Sequence, residues 1–258
     1  MKKLKSAALY AALPAGLLFL WWALSALKLV NPYLIPSPQK TLAAAADLSR
    51  SGELARHVLV SLGRVALGFG MSAAAALLLA LIFHHSSSLK KIFHGVFELL
   101  RSTPPLAMIP LLILWFGIGE APKLAVIVLA TFFPVFLSAA GGFASLDGRW
   151  RELAASLELS FFRRLRSVLV PAALPHIITG LRLGFGYAWR ALLGAELFSS
   201  SAGLGYLITD AQQMARIDTV FAGILIIGLL GLFFDTLFRA LSEKYTVPLE
   251  DRNWGSHV

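Results

Sequence analysis

The stretch Leu124-Ala-Val-Ile-Val-Leu-Ala-Thr-Phe-Phe-Pro-Val-Phe-Leu-Ser-Ala-Ala-Gly-Gly-Phe-Ala-Ser-Leu146 decides the fold. It holds 23 residues without one charged side chain. About 20 apolar residues cross the hydrocarbon core of a bilayer as a helix, whereas a barrel strand needs only about 9–11. In lipid every backbone N–H and C=O must find a partner within the protein, so only helices and closed barrels span it. This run is therefore read as a transmembrane helix. Working outward, the same reading gives six spans, at about 6–27, 61–84, 99–119, 123–145, 175–198 and 218–240. The fifth is interrupted by Arg182, Arg190 and Glu196, and the sixth carries only Asp235 between Thr219 and Phe238. The expected fold class is an all-α integral membrane protein with six transmembrane helices in a single domain over 1–258.

Composition agrees. Of 258 residues, 57% are hydrophobic and 14% charged, and the mean hydropathy is +0.74. Soluble domains have about 45–50% apolar and about 25% charged residues. The numbers exclude a soluble enzyme, a disordered chain, a coiled coil and collagen. The net charge of +9 would point to nucleic acid in a soluble protein. Here most basic residues lie between apolar runs, so nucleic acid is not an expected partner and membrane lipid is. With the N-terminus inside, fourteen Lys and Arg fall on the cytoplasmic side and six outside. The excess of basic residues on inner loops predicts a multi-pass membrane protein with both termini cytoplasmic. The first run follows Met1-Lys-Lys-Leu-Lys5, as in a signal peptide. A signal core has only about 7–15 residues, so a retained first helix is expected.

Chemistry-bearing motifs are sparse. The sequence has no cysteine, hence no disulfide, thiolate nucleophile or cysteine metal site. It has no Gly-x-Ser-x-Gly elbow, no His-Glu-x-x-His and no phosphate-cradling Gly-rich loop. His84 and His85 are adjacent, so on a helix they point about 100° apart, and no third ligand is near. No catalytic or metal-binding residue is expected. Thr41–His57 reads as a polar-faced helix on the outer surface. Gly117, Gly119, Gly141, Gly142, Gly184 and Gly186 read as turns or close helix contacts. Between the fourth and fifth spans, Asp147 can cap a helix starting near Arg149. Ser160 can cap a second helix through Arg163, Arg164 and Arg166, which Pro171 and Pro175 then break. From periodicity alone this hairpin is either a docking element for a soluble partner or an interfacial helix held to anionic lipid.

A resemblance favours docking. Glu152-Leu-Ala-Ala-Ser-Leu-Glu158, followed nine residues later by Val168-Leu-Val-Pro171, resembles the E-A-A-x3-G-x9-I-x-L-P loop of permease subunits of binding-protein-dependent type I ABC importers. The text around it is similar to the aliphatic sulfonate, taurine and nitrate branch. It includes Leu34-Ile-Pro-Ser-Pro38, Arg101-Ser-Thr-Pro-Pro-Leu-Ala-Met-Ile-Pro110, Trp115-Phe-Gly-Ile-Gly119, Ala195-Glu196 and Gly203-Leu-Gly-Tyr-Leu207. The resemblance implies a type I importer permease of the bacterial inner membrane, a transport subunit and not an enzyme. Its implied partners are a second copy as a homodimer, two cytoplasmic ATPase subunits and an external solute-binding protein. ATP and magnesium would belong to the ATPase, leaving this chain without a cofactor. The substrate implied is a small anion, foremost an aliphatic sulfonate, with taurine, nitrate or bicarbonate as relatives and a vitamin precursor as the alternative within the family. A secondary transporter or channel without an ATPase is the rival class, but inverted repeats, broken helices and a polar filter are not evident.

By the resemblance, the ATPase-coupling loop is 146–174, with Glu152, Leu153, Ala154, Ala155, Leu157, Glu158, Val168 and Pro171 as its contact residues. Two departures stand out. Leu153 replaces an Ala, and Glu158 stands where the family has Gly, which would cost about 1–2 kcal/mol if a left-handed turn were kept. The pathway candidates are Arg190, Glu196, Arg182 and Trp189. A cation near mid-span costs about 2.5–3.5 kcal/mol unless water or a partner receives it. Arg190 is expected to pair with an acid on another helix or to line the pathway.

Overall fold

The structure is a computed structural model that describes residues 2–145 and 160–245. Its helices follow from the apolar runs: α1 (Lys2–Ala26), α2 (Pro38–Arg50), α3 (Glu53–His85), α4 (Ser87–Ser102), α5 (Ile109–Phe116), α6 (Glu120–Ala144), α7 (Val170–Ser199), α8 (Leu204–Gln213) and α9 (Ile217–Tyr245). Among the described residues, four helical stretches are long and apolar enough to cross a membrane: Glu53–His85, Glu120–Ala144, Phe162–Phe198 and Ile217–Ser242. The count is five if the bent pair Ser88–Ser102 and Pro105–Phe116 is one span. The first expected span falls on α1, whose portion Ala12–Ala26 is a shorter apolar helix. The chain is an all-helical integral membrane protein. It divides into two compact units, Met1–Ser61 with Ser200–Leu229, and Leu62–Ser199 with Leu230–Val258.

In the first unit the Pro-rich exit from α1 is pinned by the Trp21 indole N–H, which donates to the Pro36 carbonyl at 2.9 Å. The Trp21 ring lies 6.0 Å from that of Phe221. Ser37 then starts α2: its side chain accepts from the Lys40 N–H, and Pro38 occupies the first helical position, where no N–H is required. The helix expected over Thr41–His57 is not continuous. It stops at Arg50, because Gly52 takes a φ of +78° and redirects the chain into α3.

In the second unit α6 and α7 lie in extensive contact. Small residues permit it: a Cβ on Gly142 would meet His176 at 2.7 Å, and one on Gly180 would meet Ser138 at 2.6 Å. Gly184 is equally tight against Val135, whereas Gly141 and Gly186 face open space. Phe83, Phe97, Phe133 and Phe136 pack edge-on and stacked on one another, with centroids 5.2–5.7 Å apart.

Two expectations need correction here. The run 99–119 is not one straight helix. Thr103 and Pro104 are extended, as residues before proline tend to be, and the helices on either side meet at 88°. Nor do Pro171 and Pro175 break the helix that Ser160 begins. Phe161–Arg164 passes through a wider π turn at Leu165–Leu169 directly into α7. Pro171 follows the π turn directly, and the wider turn absorbs the bond that its missing N–H cannot make inside the continuous helix. Pro175 is carried inside the helix just beyond the π turn, the kind of local adjustment that lets apolar helices tolerate proline.

Candidate functional site

Glu196, near the end of α7, is the most completely buried charged side chain among the described residues, with 1% exposure. Burying a lone carboxylate in apolar surroundings costs several kcal/mol, so a partner is required. Arg64 on α3 supplies it: its Nη1 donates to Glu196 Oε1 at 2.7 Å. The same guanidinium grips the Glu120 carboxylate at the start of α6 with two bonds, Nε to Oε2 at 2.6 Å and Nη2 to Oε1 at 2.7 Å. Lys123, itself buried, closes the group with a 3.0 Å bond to Glu120 Oε1. Two cations and two anions leave the group neutral. Arginine suits the centre because its planar fork bonds one carboxylate with two parallel N–H groups and still has a donor for another. Three helices are tied together at this point.

At the other half of α7, Arg182 reaches Asp235 on α9 through Nε and Nη2, at 2.9 and 3.0 Å. Arg239, one turn along α9, adds a looser contact of 3.5 Å to the same carboxylate. This second group carries one net positive charge and stays partly exposed.

The other candidates separate. Trp189 is buried, its indole lying over Gly231 and beside Phe234. Arg190 is exposed and lies over the Tyr187 ring, 5.9 Å from its centroid. Among the described residues it enters no ion pair, so the expected acid on another helix is not found. Glu152, Leu153, Ala154, Ala155, Leu157 and Glu158 lie outside the described residues. Val168 falls in the π turn and Pro171 in the first turn of α7. Arg64, Glu120 and Lys123 are not among the site residues that the sequence pattern selects. The signal was present for Arg64, a charge inside an apolar helix.

The first unit holds a separate polar cluster. The Gly203 N–H donates to His57 Nδ1 at 3.0 Å, and the Leu204 N–H to Ser61 Oγ at 2.8 Å. These side chains satisfy the open N–H groups at the start of α8. Gly203 has a φ of +119°, which a side chain would strain. On α8 the Tyr206 hydroxyl donates to Asp210 Oδ1 at 3.1 Å, and that bond to a carboxylate holds the phenol above its ordinary pKa.

Residues 66–247 match the family described as the binding-protein-dependent transport system inner membrane component. The chain is 37% identical, over 90% of its length and 84% of the relative's, to SsuC of Bacillus subtilis (strain 168), a candidate aliphatic sulfonates transport permease protein. It is 35% identical to TauC of Escherichia coli (strain K12), the taurine transport system permease protein, over 90% of this chain and 86% of that one. Its fold is similar to that of a chain of the MetNI methionine ABC transporter in an inward-facing conformation, with a TM-score of 0.65 and 13% identity, over 75% of this chain and 96% of that one.

Proposed function

The chain belongs to the family of inner membrane components of binding-protein-dependent transport systems, and from that premise we propose that it forms the pathway for ATP-driven uptake of an aliphatic sulfonate or closely related small anion. One observation carries the substrate class: similarity along nine-tenths of the chain to permeases named for sulfonate and taurine transport. On this reading an external binding protein delivers the solute. Two copies of the chain face one another, and two ATPase subunits dock on the segment 146–174. ATP hydrolysis belongs to those subunits, and this chain converts their closure into a rocking of helices.

The geometry supports a division of labour along α7. With both termini cytoplasmic, the Arg64–Glu120–Glu196 group lies toward the outer side, and Arg182 with Asp235 toward the inner. Both hold helices in register, so their charges are already neutralised or shared. Arg190, which enters no ion pair among the described residues and lies over the Tyr187 ring, is the cation we assign to attracting a passing anion. Trp189 beside it sets the packing of α7 on α9.

The test is reconstitution of the chain with its cognate ATPase and binding protein in proteoliposomes. ATP-dependent accumulation of labelled taurine or ethanesulfonate is expected. Flux that persists without ATP or binding protein would overturn the importer reading, and uptake of a vitamin precursor alone would overturn the substrate class.

A further inference from the structure

A cavity of about 670 Å³ opens in the second unit between the end of α3, α4 and the end of α6. That is the size of a small-molecule site, roughly 300–1,000 Å³. Its apolar wall is made by Phe83, Phe97, Phe133 and Phe136. The same lining holds the basic side chains Lys90 and Arg164, which enter no ion pair among the described residues, together with His84, His85 and His94. The one acid lining it, Glu98, is already bonded to Arg101 at 2.7 Å. The lining therefore joins an aromatic wall to a net positive set of side chains.

Helix α4 says what could enter. At 100° per residue, Ile92, Val96 and Leu99 fall within about 60° of one another, and Lys90, His94, Glu98 and Arg101 form a stripe centred roughly 180° away. The apolar stripe is exposed, at 70%, 53% and 70%, while the polar stripe lines the cavity. A helix with a strong apolar face and a basic one lies in the membrane interface. The cavity thus opens behind an interfacial helix, at headgroup depth.

We propose that this cavity binds one anionic phospholipid, its phosphate between Lys90 and Arg164 and the upper part of an acyl chain against the phenylalanine wall. Basic pockets between membrane helices bind anionic headgroups by this combination of charge and shape. On the orientation proposed above, the site faces the cytoplasmic leaflet, where anionic lipid concentrates. The readout below does not involve transport, so its failure is separable from failure of that orientation.

The full-length chain, purified from mixed phosphatidylglycerol and phosphatidylcholine, would be examined by native mass spectrometry for retained lipid. The wild type is expected to keep phosphatidylglycerol in preference to phosphatidylcholine. Lys90→Gln with Arg164→Gln should lower that retention about fivefold. Lys40→Gln with Arg50→Gln, exposed on α2, should leave it unchanged. Glu98→Gln removes the acid and frees Arg101, so retention should rise about twofold, a gain that misfolding would not produce. Three results would overturn the proposal. They are equal retention in the cavity and α2 variants, equal loss of both lipids, and displacement of phosphatidylglycerol by millimolar hexanesulfonate, which would assign the site to a soluble amphiphile.

Discussion

Helix α7 carries two charged groups fourteen residues apart, about 21 Å at 1.5 Å per residue, and they solve the same problem differently. At Glu196 the acid and its Arg64 partner are 0% and 8% exposed, and four charges cancel. At Arg182 the arginine and Asp235 are 33% and 44% exposed, and a second arginine leaves a charge over. Solvent or lipid headgroups can share the load throughout the second group; in the first they reach Glu120, which is 57% exposed, but hardly Arg64 or Glu196. The difference teaches that two arginine–carboxylate pairs anchored on one helix need not contribute equally: burial sets what their loss costs.

The comparison is broken most severely at Arg64. Arg64→Met leaves Glu196 buried without its guanidinium, a loss of about 3–5 kcal/mol for an uncompensated buried charge. The midpoint of denaturant unfolding in micelles should fall accordingly. Arg64→Met combined with Glu196→Leu should recover much of that loss, because an apolar pair of similar volume replaces a buried ion pair at little net cost. If the single and double variants unfolded alike, the burial argument would fail.

Next in size comes the face that α7 turns to α6. Gly180→Ala puts a methyl group 2.6 Å from Ser138 Cβ, and overpacking of this kind costs about 1–3 kcal/mol. Gly186→Ala meets nothing within 4 Å and should stabilise the helix by about 0.5–1 kcal/mol. Opposite shifts in unfolding midpoint would sharpen the contrast between the two faces, and shifts of the same sign would contradict the packing.

Arg182→Gln should cost only about 0.2–1 kcal/mol, as exposed ion pairs do, and the cost should shrink in high salt as screening shortens. The Arg64→Met loss should be nearly salt-independent. A salt response of equal size at both sites would erase the distinction.

These contrasts also separate what was legible in the sequence from what was not. The runs at 61–84, 123–145, 175–198 and 218–240 became helices because lipid leaves an apolar chain no other way to satisfy its backbone. The bend after Ser102 follows from Thr103-Pro104-Pro105, whose local preference was visible but was outweighed by the apolar run around it. Pro171 and Pro175 misled in the other direction, since a π turn absorbs what proline alone would break. Within the site, Arg182 and Glu196 stood out as charges interrupting an apolar run. Their pairing did not, because Arg64 lies 132 residues from Glu196, and spacing along one chain cannot pair residues brought together only by packing.

Arg190 offers the smallest effect on the fold and the most specific effect on transport. It sits between the two groups on α7, yet among the described residues it holds no carboxylate and stacks over Tyr187. Arg190→Gln should therefore change stability by no more than about 0.5 kcal/mol, as surface substitutions usually do. Its charge is another matter. A unit charge about 4 Å from an anion contributes about 1 kcal/mol in water and more where the surroundings are less polar. Removing it should slow uptake of a sulfonate about threefold to tenfold, since about 1.4 kcal/mol in the barrier is a factor of ten in rate. Gln keeps hydrogen-bond donors and much of the length, so lost shape would not explain such a fall. Arg190→Lys, which restores charge without the planar fork, should recover most of the rate. Reconstituted Arg190→Gln importer that moved its anion at the wild-type rate would place the arginine outside the pathway, whereas a large loss of stability would show it to be a third structural charge on α7.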